Sequence, residues 1–170
     1  LNHFLSLGLD IYLSEGYATH LGIHDKEYES EGAKMFANEI DIISNSDAIL
    51  QMGVPNDEAL NKLKEGQILI GVLNPYKNEK KLKEISSKNI KCFSLELLPR
   101  ITRAQSMDIL SSQANLAGYK AVIDSFAYFQ KAIPMMMTAA GTVPAAKVLI
   151  VGAGVAGLQA IATAKRMGAI

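Results

Sequence analysis

Short apolar, β-favouring runs alternate along this chain with charged stretches of helical spacing, the pattern of βα units built around a parallel sheet. Residues 10–13, 48–51, 68–73 and 91–95 read as strands, and 57–64 and 75–88 read as helices. Asn74 before Pro75 is a good helix start, a capping side chain followed by a residue whose fixed φ and missing N–H suit the first helical position. The charged run 77–84 is then the solvated face of that helix. From about residue 106 to 131 the spacing predicts a longer helix with Leu116, Tyr119, Ile123 and Phe126 on one apolar face, weakened slightly by Gly118. Pro134 ends it, residues 135–144 form an apolar, irregular connection where a domain boundary falls, and a buried strand begins again over 147–151. The three consecutive methionines from Met135 fit core or interdomain packing better than a cofactor box, since thioethers fill irregular gaps.

Composition narrows the function classes. The 170 residues are 49% hydrophobic and 20% charged, which excludes disordered and collagen-like chains. Lys plus Arg equals Asp plus Glu at 17 each, so no global field draws the chain to nucleic acid or an acidic bilayer. The single cysteine, Cys92, excludes an internal disulfide framework and a cysteine-built zinc site. Residues 148–164 carry no charge, yet Gly152, Gly154, Gly157, Gln159 and Thr163 interrupt them, so a membrane span is not expected. The chain opens on Leu1 without the features of a secretory signal, and a patterned helix is still running near Ile170. The expectation is a soluble fragment cut at both ends.

Residues 147–169 read KVLIVGAGVAGLQAIATAKRMGA, a strand, the order G-x-G-x-x-G in Gly152, Gly154 and Gly157, and a helix of small residues. The first glycine permits the tight turn, the second lets a pyrophosphate approach the backbone, and the third lets helix and strand pack closely. Phosphates would sit at the helix N-terminus, where free N–H groups and the dipole favour anions. The bland alternative is a glycine-rich turn without a ligand. The acidic residue that reads the ribose hydroxyl roughly 20 residues further on would fall beyond Ile170, so NAD and NADP are not separated here.

A second polar cluster covers 99–108, directly after the predicted strand 91–95, with Arg100, Arg103, Gln105 and Asp108. Ligand crevices of open α/β sheets lie beyond the carboxyl ends of strands, and arginine forks suit phosphate or carboxylate. The residues alone equally make a surface ion pair plus a helix cap, and taken by themselves they favour that reading. His3, His20 and His24 lack metal-ligand spacing, no P-loop or serine elbow occurs, and Cys92 inside a predicted strand reads as a small core residue. Such an inventory suits chemistry that a cofactor carries.

Two stretches, LPRITRAQSMDILSSQANLAGY over 98–119 and PMMMTAAGTVP over 134–144, followed by the glycine fingerprint, closely resemble the NAD(H)-binding domain of proton-translocating NAD(P) transhydrogenase. The likeness is dense from about Glu96 onward and weaker before it. The motifs mark the alanine dehydrogenase and transhydrogenase superfamily, and the spacing of Arg100, Gln105 and Asp108 points to the transhydrogenase branch.

The resemblance implies an α/β protein of two Rossmann-like domains with parallel sheets, both truncated here and joined by a long helix. Residues 1–110 would form the N-terminal domain, 111–133 the connecting helix and 134–170 the beginning of the NAD(H)-binding domain. It implies a homodimer with NAD(H) in the cleft between domains, and hydride transfer to NADP(H) on a partner domain, coupled to proton translocation by a membrane domain. It places the assembly at the cytoplasmic face of the inner membrane, without nucleic acid or a metal. Gln105 would contact the nicotinamide ribose and hold the ring, Arg100 and Asp108 would fix the loop with Ser111 nearby, and Ile101, Thr102 and Arg103 would complete the loop that lies over the cofactor. Gly152, Gly154, Val155 and Gly157 would meet the pyrophosphate side.

Two alternatives stay open. Alanine dehydrogenases of the superfamily need proton transfer and a carboxylate clamp. They carry a lysine before a proline in the stretch that is Leu50-Gln51-Met52-Gly53-Val54-Pro55 here, and a histidine shortly after, which 70–73 lacks. That disfavours alanine dehydrogenase, although many transhydrogenases also keep a lysine where Gln51 stands. The other alternative is a non-catalytic NAD(H)-binding module. An interrupted Rossmann sheet would in any case expose a strand edge and an uncovered apolar face.

Overall fold

The computed structural model describes residues 1–170 and divides into two compact units, Leu1–Leu97 and Leu98–Ile170. The first unit is α/β with parallel strands. Helix α1 (Asn2–Ser6) precedes strand β1 (Tyr12–Ser14), and helix α2 (Asp25–Ser30) leads to β2 (Lys34–Phe36), which pairs parallel to β1 with Leu13 opposite Met35. Helix α3 (Glu39–Asn45), capped by Asn38 Oδ1 accepting from Ile40 N at 2.9 Å, runs into β3 (Ala48–Met52). Helix α4 (Asp57–Lys62), β4 (Ile68–Val72), α5 (Glu79–Ser87) and β5 (Lys91–Ser94) complete a parallel sheet of order β3-β4-β5. Asn56 caps α4 by accepting from Ala59 N at 2.8 Å.

Alternation along the strands explains the layering. Ile49, Leu69 and Leu73 point to one face and are buried with Ile43, Leu60, Leu63, Ile85 and Ile90 of the helices and loops on that side. Leu50, Met52 and Phe93 point to the other face and are exposed, so this sheet has one uncovered apolar side. Buried Gln67 ties the core's edge together: its Nε2 donates to the carbonyls of Ile43 and Ser46, both at 2.7 Å, and its Oε1 accepts from Lys64 N. No pattern of hydrophobic spacing points to that glutamine.

Several sequence expectations are corrected here. Helix α5 begins at Glu79 rather than Pro75, because Asn74 takes a left-handed φ of +47° instead of the extended conformation of a cap. The carboxylate of Glu96 accepts from the N–H groups of both Leu73 and Asn74, and the Asn74 carbonyl accepts from Lys77 N and Asn78 N, so residues 74–78 form a tethered turn. Cys92 is exposed rather than buried in the core, since it lies on β5, an edge strand.

In the second unit, a 3-10 turn (Thr102–Met107) precedes α6 (Ile109–Tyr128), and α7 (Val155–Arg166) packs across α6. Of the predicted face of α6, Phe126 packs on the core as expected, but Leu116 and Tyr119 are exposed, and the buried residues of the helix are Gly118 and Val122. Apolar residues circle this helix, so spacing alone does not choose the face; close approach of α7 does. Residues 135–144, expected to be irregular, form an antiparallel hairpin of β6 (Met136–Thr138) and β7 (Gly141–Val143). Its turn lacks an Asn-Gly signal and instead uses Gly141 at φ +126°, with Thr138 Oγ1 donating to the Gly141 carbonyl at 2.9 Å. The predicted strand 147–151 forms no ladder. Val148 N donates to Ile170 O and Ile170 N donates to Ala146 O, while Val148 and Ile150 pack on the helices and Leu149 and Val151 stay exposed. No helix of either unit is long and apolar enough to cross a membrane.

Candidate dinucleotide site

The turn from residue 152 into α7 is built from what glycine permits. Gly152 sits at φ +104°, a region L side chains rarely adopt. At Gly157 an added Cβ would lie 2.0 Å from the Gly152 carbonyl oxygen, so the third glycine of the fingerprint is a point of direct backbone contact. Gly154 is the N-cap of α7, with no side-chain cap, and a Cβ there would meet nothing within 4 Å. The helix therefore opens on Val155 with free N–H groups, positive dipole end outward and clear space in front of Gly154. An anion fits that arrangement.

The second cluster is equally local. Asp108 caps α6 by accepting from Ser111 N at 2.9 Å and from Ser111 Oγ at 2.7 Å. Arg100 Nε donates to Asp108 Oδ2 at 3.3 Å, and its Nη2 donates to Ser111 Oγ at 2.8 Å. The hydrogen bonds from Ser111 N–H and hydroxyl, helped by the Arg100 charge, hold the Asp108 carboxyl below the usual carboxylate range. Three of the predicted site residues, Arg100, Asp108 and Ser111, are thus brought together. Buried Ala104 anchors the 3-10 turn between them, and Ile101, Thr102, Arg103 and Gln105 are exposed around it.

Sequence reasoning missed Gly118, whose Cβ would meet the Ala156 carbonyl oxygen at 2.1 Å. A glycine in mid-helix costs about 1 kcal/mol against alanine, and that anomaly was the available signal. It also missed Glu96. Burial works against its charged form, but hydrogen bonds from its own N–H, the Ser94 hydroxyl and the N–H groups of Asn74 and Leu73 outweigh it and lower the pKa. Partial burial of the Cys92 sulfur pushes its thiol pKa up, away from the lowered values of activated thiols. Nowhere do three His, Cys, Asp or Glu side chains gather as a metal site would require.

The family model described as "Alanine dehydrogenase/PNT, N-terminal domain" matches residues 1–117, and "Alanine dehydrogenase/PNT, C-terminal domain" matches 121–170. The chain belongs to the alanine dehydrogenase/PNT family. Within this family it is 45% identical over 167 residues to the first segment of the divided NAD(P) transhydrogenase subunit alpha of Rickettsia prowazekii, covering 96% of this chain and 44% of that relative. It is 43% identical to the protein of the same name from Rhodospirillum rubrum, covering 98% and 44% respectively. The crystal structure of transhydrogenase from Sinorhizobium meliloti superposes with a TM-score of 0.93 at 47% identity, covering 99% of this chain and 50% of that one. The chain therefore spans about half the length of the curated relatives it matches. The expected α/β class with parallel, Rossmann-like organisation holds for this family member.

Proposed function

We propose that this chain supplies part of the NAD(H)-binding component of an NAD(P) transhydrogenase. The observation that carries the reading is the occurrence, in one compact unit, of an uncapped, unobstructed glycine turn and a pre-ordered Arg100–Asp108–Ser111 cluster. The names of the relatives point the same way. Gly152, Gly154, Val155 and Gly157 would receive the pyrophosphate, and Gln105, on the turn that Arg100 and Asp108 hold, would orient the nicotinamide ribose. NAD(H) supplies the chemistry, since its hydride passes directly to NADP⁺ on a partner domain, leaving NAD⁺ and NADPH. The chain needs no acid or base for that step, and its contribution is orientation.

The same reading places residues 1–110 in the N-terminal Rossmann-like domain, 111–133 in the connecting helix and 134–170 at the start of the NAD(H)-binding domain. The two family models, which meet at 117–121 inside α6, support it. It includes a homodimer, a partner NADP(H)-binding domain, and attachment at the cytoplasmic face of the inner membrane through a proton-translocating membrane domain. The exposed methionines of the β6–β7 hairpin support a dimer, because an isolated two-stranded hairpin is marginal without something packed on it.

Gln51 argues against the alanine dehydrogenase alternative: its Nε2 donates to the Gly53 carbonyl at 2.9 Å, an amide where proton transfer would need an ionisable group. The test is NADH-driven reduction of an NADP⁺ analogue by the full-length chain containing this segment, mixed with a transhydrogenase NADP-binding domain. Turnover that requires both components is the expected result. Tight NADH binding with no turnover would replace this reading with the non-catalytic module.

A further inference from the structure

Midway along α6, an added Cβ on buried Gly118 would stand 2.1 Å from the carbonyl oxygen of Ala156 and 3.0 Å from its Cα. Ala156 is the second residue of α7 and lies inside the Gly152–Gly157 turn. One side of that turn is therefore in backbone contact with α6, while Gly157 is in backbone contact with Gly152 on the other. Just before Gly118 on α6, Asn115 Nδ2 donates to Gln159 Oε1 at 3.2 Å, and Gln159 Nε2 in turn donates to Thr163 Oγ1 at 3.1 Å. Further along, Val122 packs against Ala160 and Ala164. Ser111, the hydroxyl that binds Arg100, is on the same helix about 10 Å from Gly118 along the axis.

A contact between side chains absorbs small shifts by changing rotamers. A Cα pressed on a peptide carbonyl has no such freedom, so it admits one spacing. Gly118 thus sets how near α7 comes to α6, and the Asn115–Gln159 bond adds a side-chain link between the two helices beside it. We propose that Gly118 is a positioning residue for the dinucleotide site. Acting through Ala156, it fixes the distance between the turn that would receive the pyrophosphate and the Arg100–Asp108 segment that would orient the ring. This inference rests on the NAD(H) reading above.

The test compares two ligands on the full-length chain containing this segment, by calorimetric titration of wild type, Gly118→Ala and Gln159→Ala. NADH needs both parts of the site, whereas ADP carries only the diphosphate and adenine half and reaches the glycine turn alone. Gly118→Ala is expected to weaken NADH about tenfold while ADP stays within about twofold, the size of coupling seen between contacting groups. Gln159→Ala is expected to weaken NADH about threefold and leave ADP unchanged, by the same reasoning. A loss of folded protein would lower the titrated stoichiometry for both ligands and leave the affinities of the remaining folded protein unchanged. Equal losses for the two ligands, or no loss for either, would overturn the proposal. Should Gly118→Ala fail to fold, Gln159→Ala decides, and NADH and ADP affinities equal to those of wild type overturn it. Absence of NADH binding by the wild-type chain would instead remove the NAD(H) reading itself, and this inference with it.

Discussion

The carbonyl oxygen of Gly152 occupies a point 2.0 Å from where a Cβ on Gly157 would sit. No side chain fits there, because the obstacle is a backbone carbonyl rather than the far end of a flexible side chain. Gly157→Ala should force α7 away from the preceding segment and cost about 1–3 kcal/mol, the usual range for overpacking. Thermal unfolding of the full-length chain will read this as a lowered midpoint. An unchanged midpoint would show that the turn relaxes freely.

Gly154 makes the opposite prediction from the same turn. A Cβ there meets nothing within 4 Å, and φ is −75°, so the backbone accepts any residue. Gly154→Val should cost about 1 kcal/mol of stability, because valine is a poorer N-cap than glycine, and leave the chain folded. It should nevertheless weaken NADH on the order of a hundredfold, because the branched side chain fills the space a pyrophosphate would enter. Unchanged NADH affinity would sink the pyrophosphate assignment.

Gln105 is exposed on the turn that Ala104 anchors and that Arg100 and Asp108 tie to α6. If it orients the nicotinamide ring, Gln105→Asn shortens the reach without changing the chemistry. Hydride transfer should slow by about a hundredfold, the cost of a misplacement near 1 Å, while NADH affinity changes little. Equal losses in rate and affinity would make Gln105 an ordinary binding contact.

These residues also show what is legible in the linear chain. The fingerprint glycines can be read because the turn demands glycine at fixed offsets, and the Arg100–Asp108 ion pair and the Asp108 helix cap can be read from the spacing of 99–108. The face of α6 cannot, since Leu116 and Tyr119 match the helical period as well as Val122 and Phe126, and only the backbone contact at Gly118 chooses between them. The start of α5 escapes local reasoning because Asn74-Pro75 satisfies the rule for a cap. Glu96, which pulls the Leu73 and Asn74 N–H groups into a turn, is far away in sequence. Long-range tethering overrides a local preference.

Acid sensitivity follows from the two lowered carboxyls. Hydrogen bonds from Ser111 to Asp108, and from main-chain N–H groups and Ser94 to Glu96, favour the ionised forms in the folded state. A folded pKa below the unfolded value adds stability above the ordinary carboxylate range, about pH 4, and that stability is lost as the pH falls through the folded values. Urea unfolding across the range from neutral into acid should therefore show a falling midpoint below about pH 4, and Asp108→Asn should flatten part of the fall. A slope untouched by Asp108→Asn would assign the acid response to other groups.

Restoring a lysine at position 51 tests whether one residue separates the two branches of the family. Gln51 pairs in register with Gly71 on β4, where a Cβ would lie 2.0 Å from the Gln51 carbonyl, so the two strands are held backbone to backbone. The neighbouring residues 70–73 carry no histidine, and Gln51 spends its amide on the Gly53 carbonyl. Alanine oxidation passes the Cα hydrogen to NAD⁺ as hydride and requires a group that takes the proton from the amine nitrogen as the imine forms, together with a clamp for the carboxylate, and a lone lysine supplies at most one of these. Gln51→Lys in the full-length chain should give no NADH formation from alanine above the wild-type background. Turnover appearing with that single change would mean that the remaining machinery is already present elsewhere in the protein, and would put the alanine dehydrogenase alternative ahead of the transhydrogenase reading.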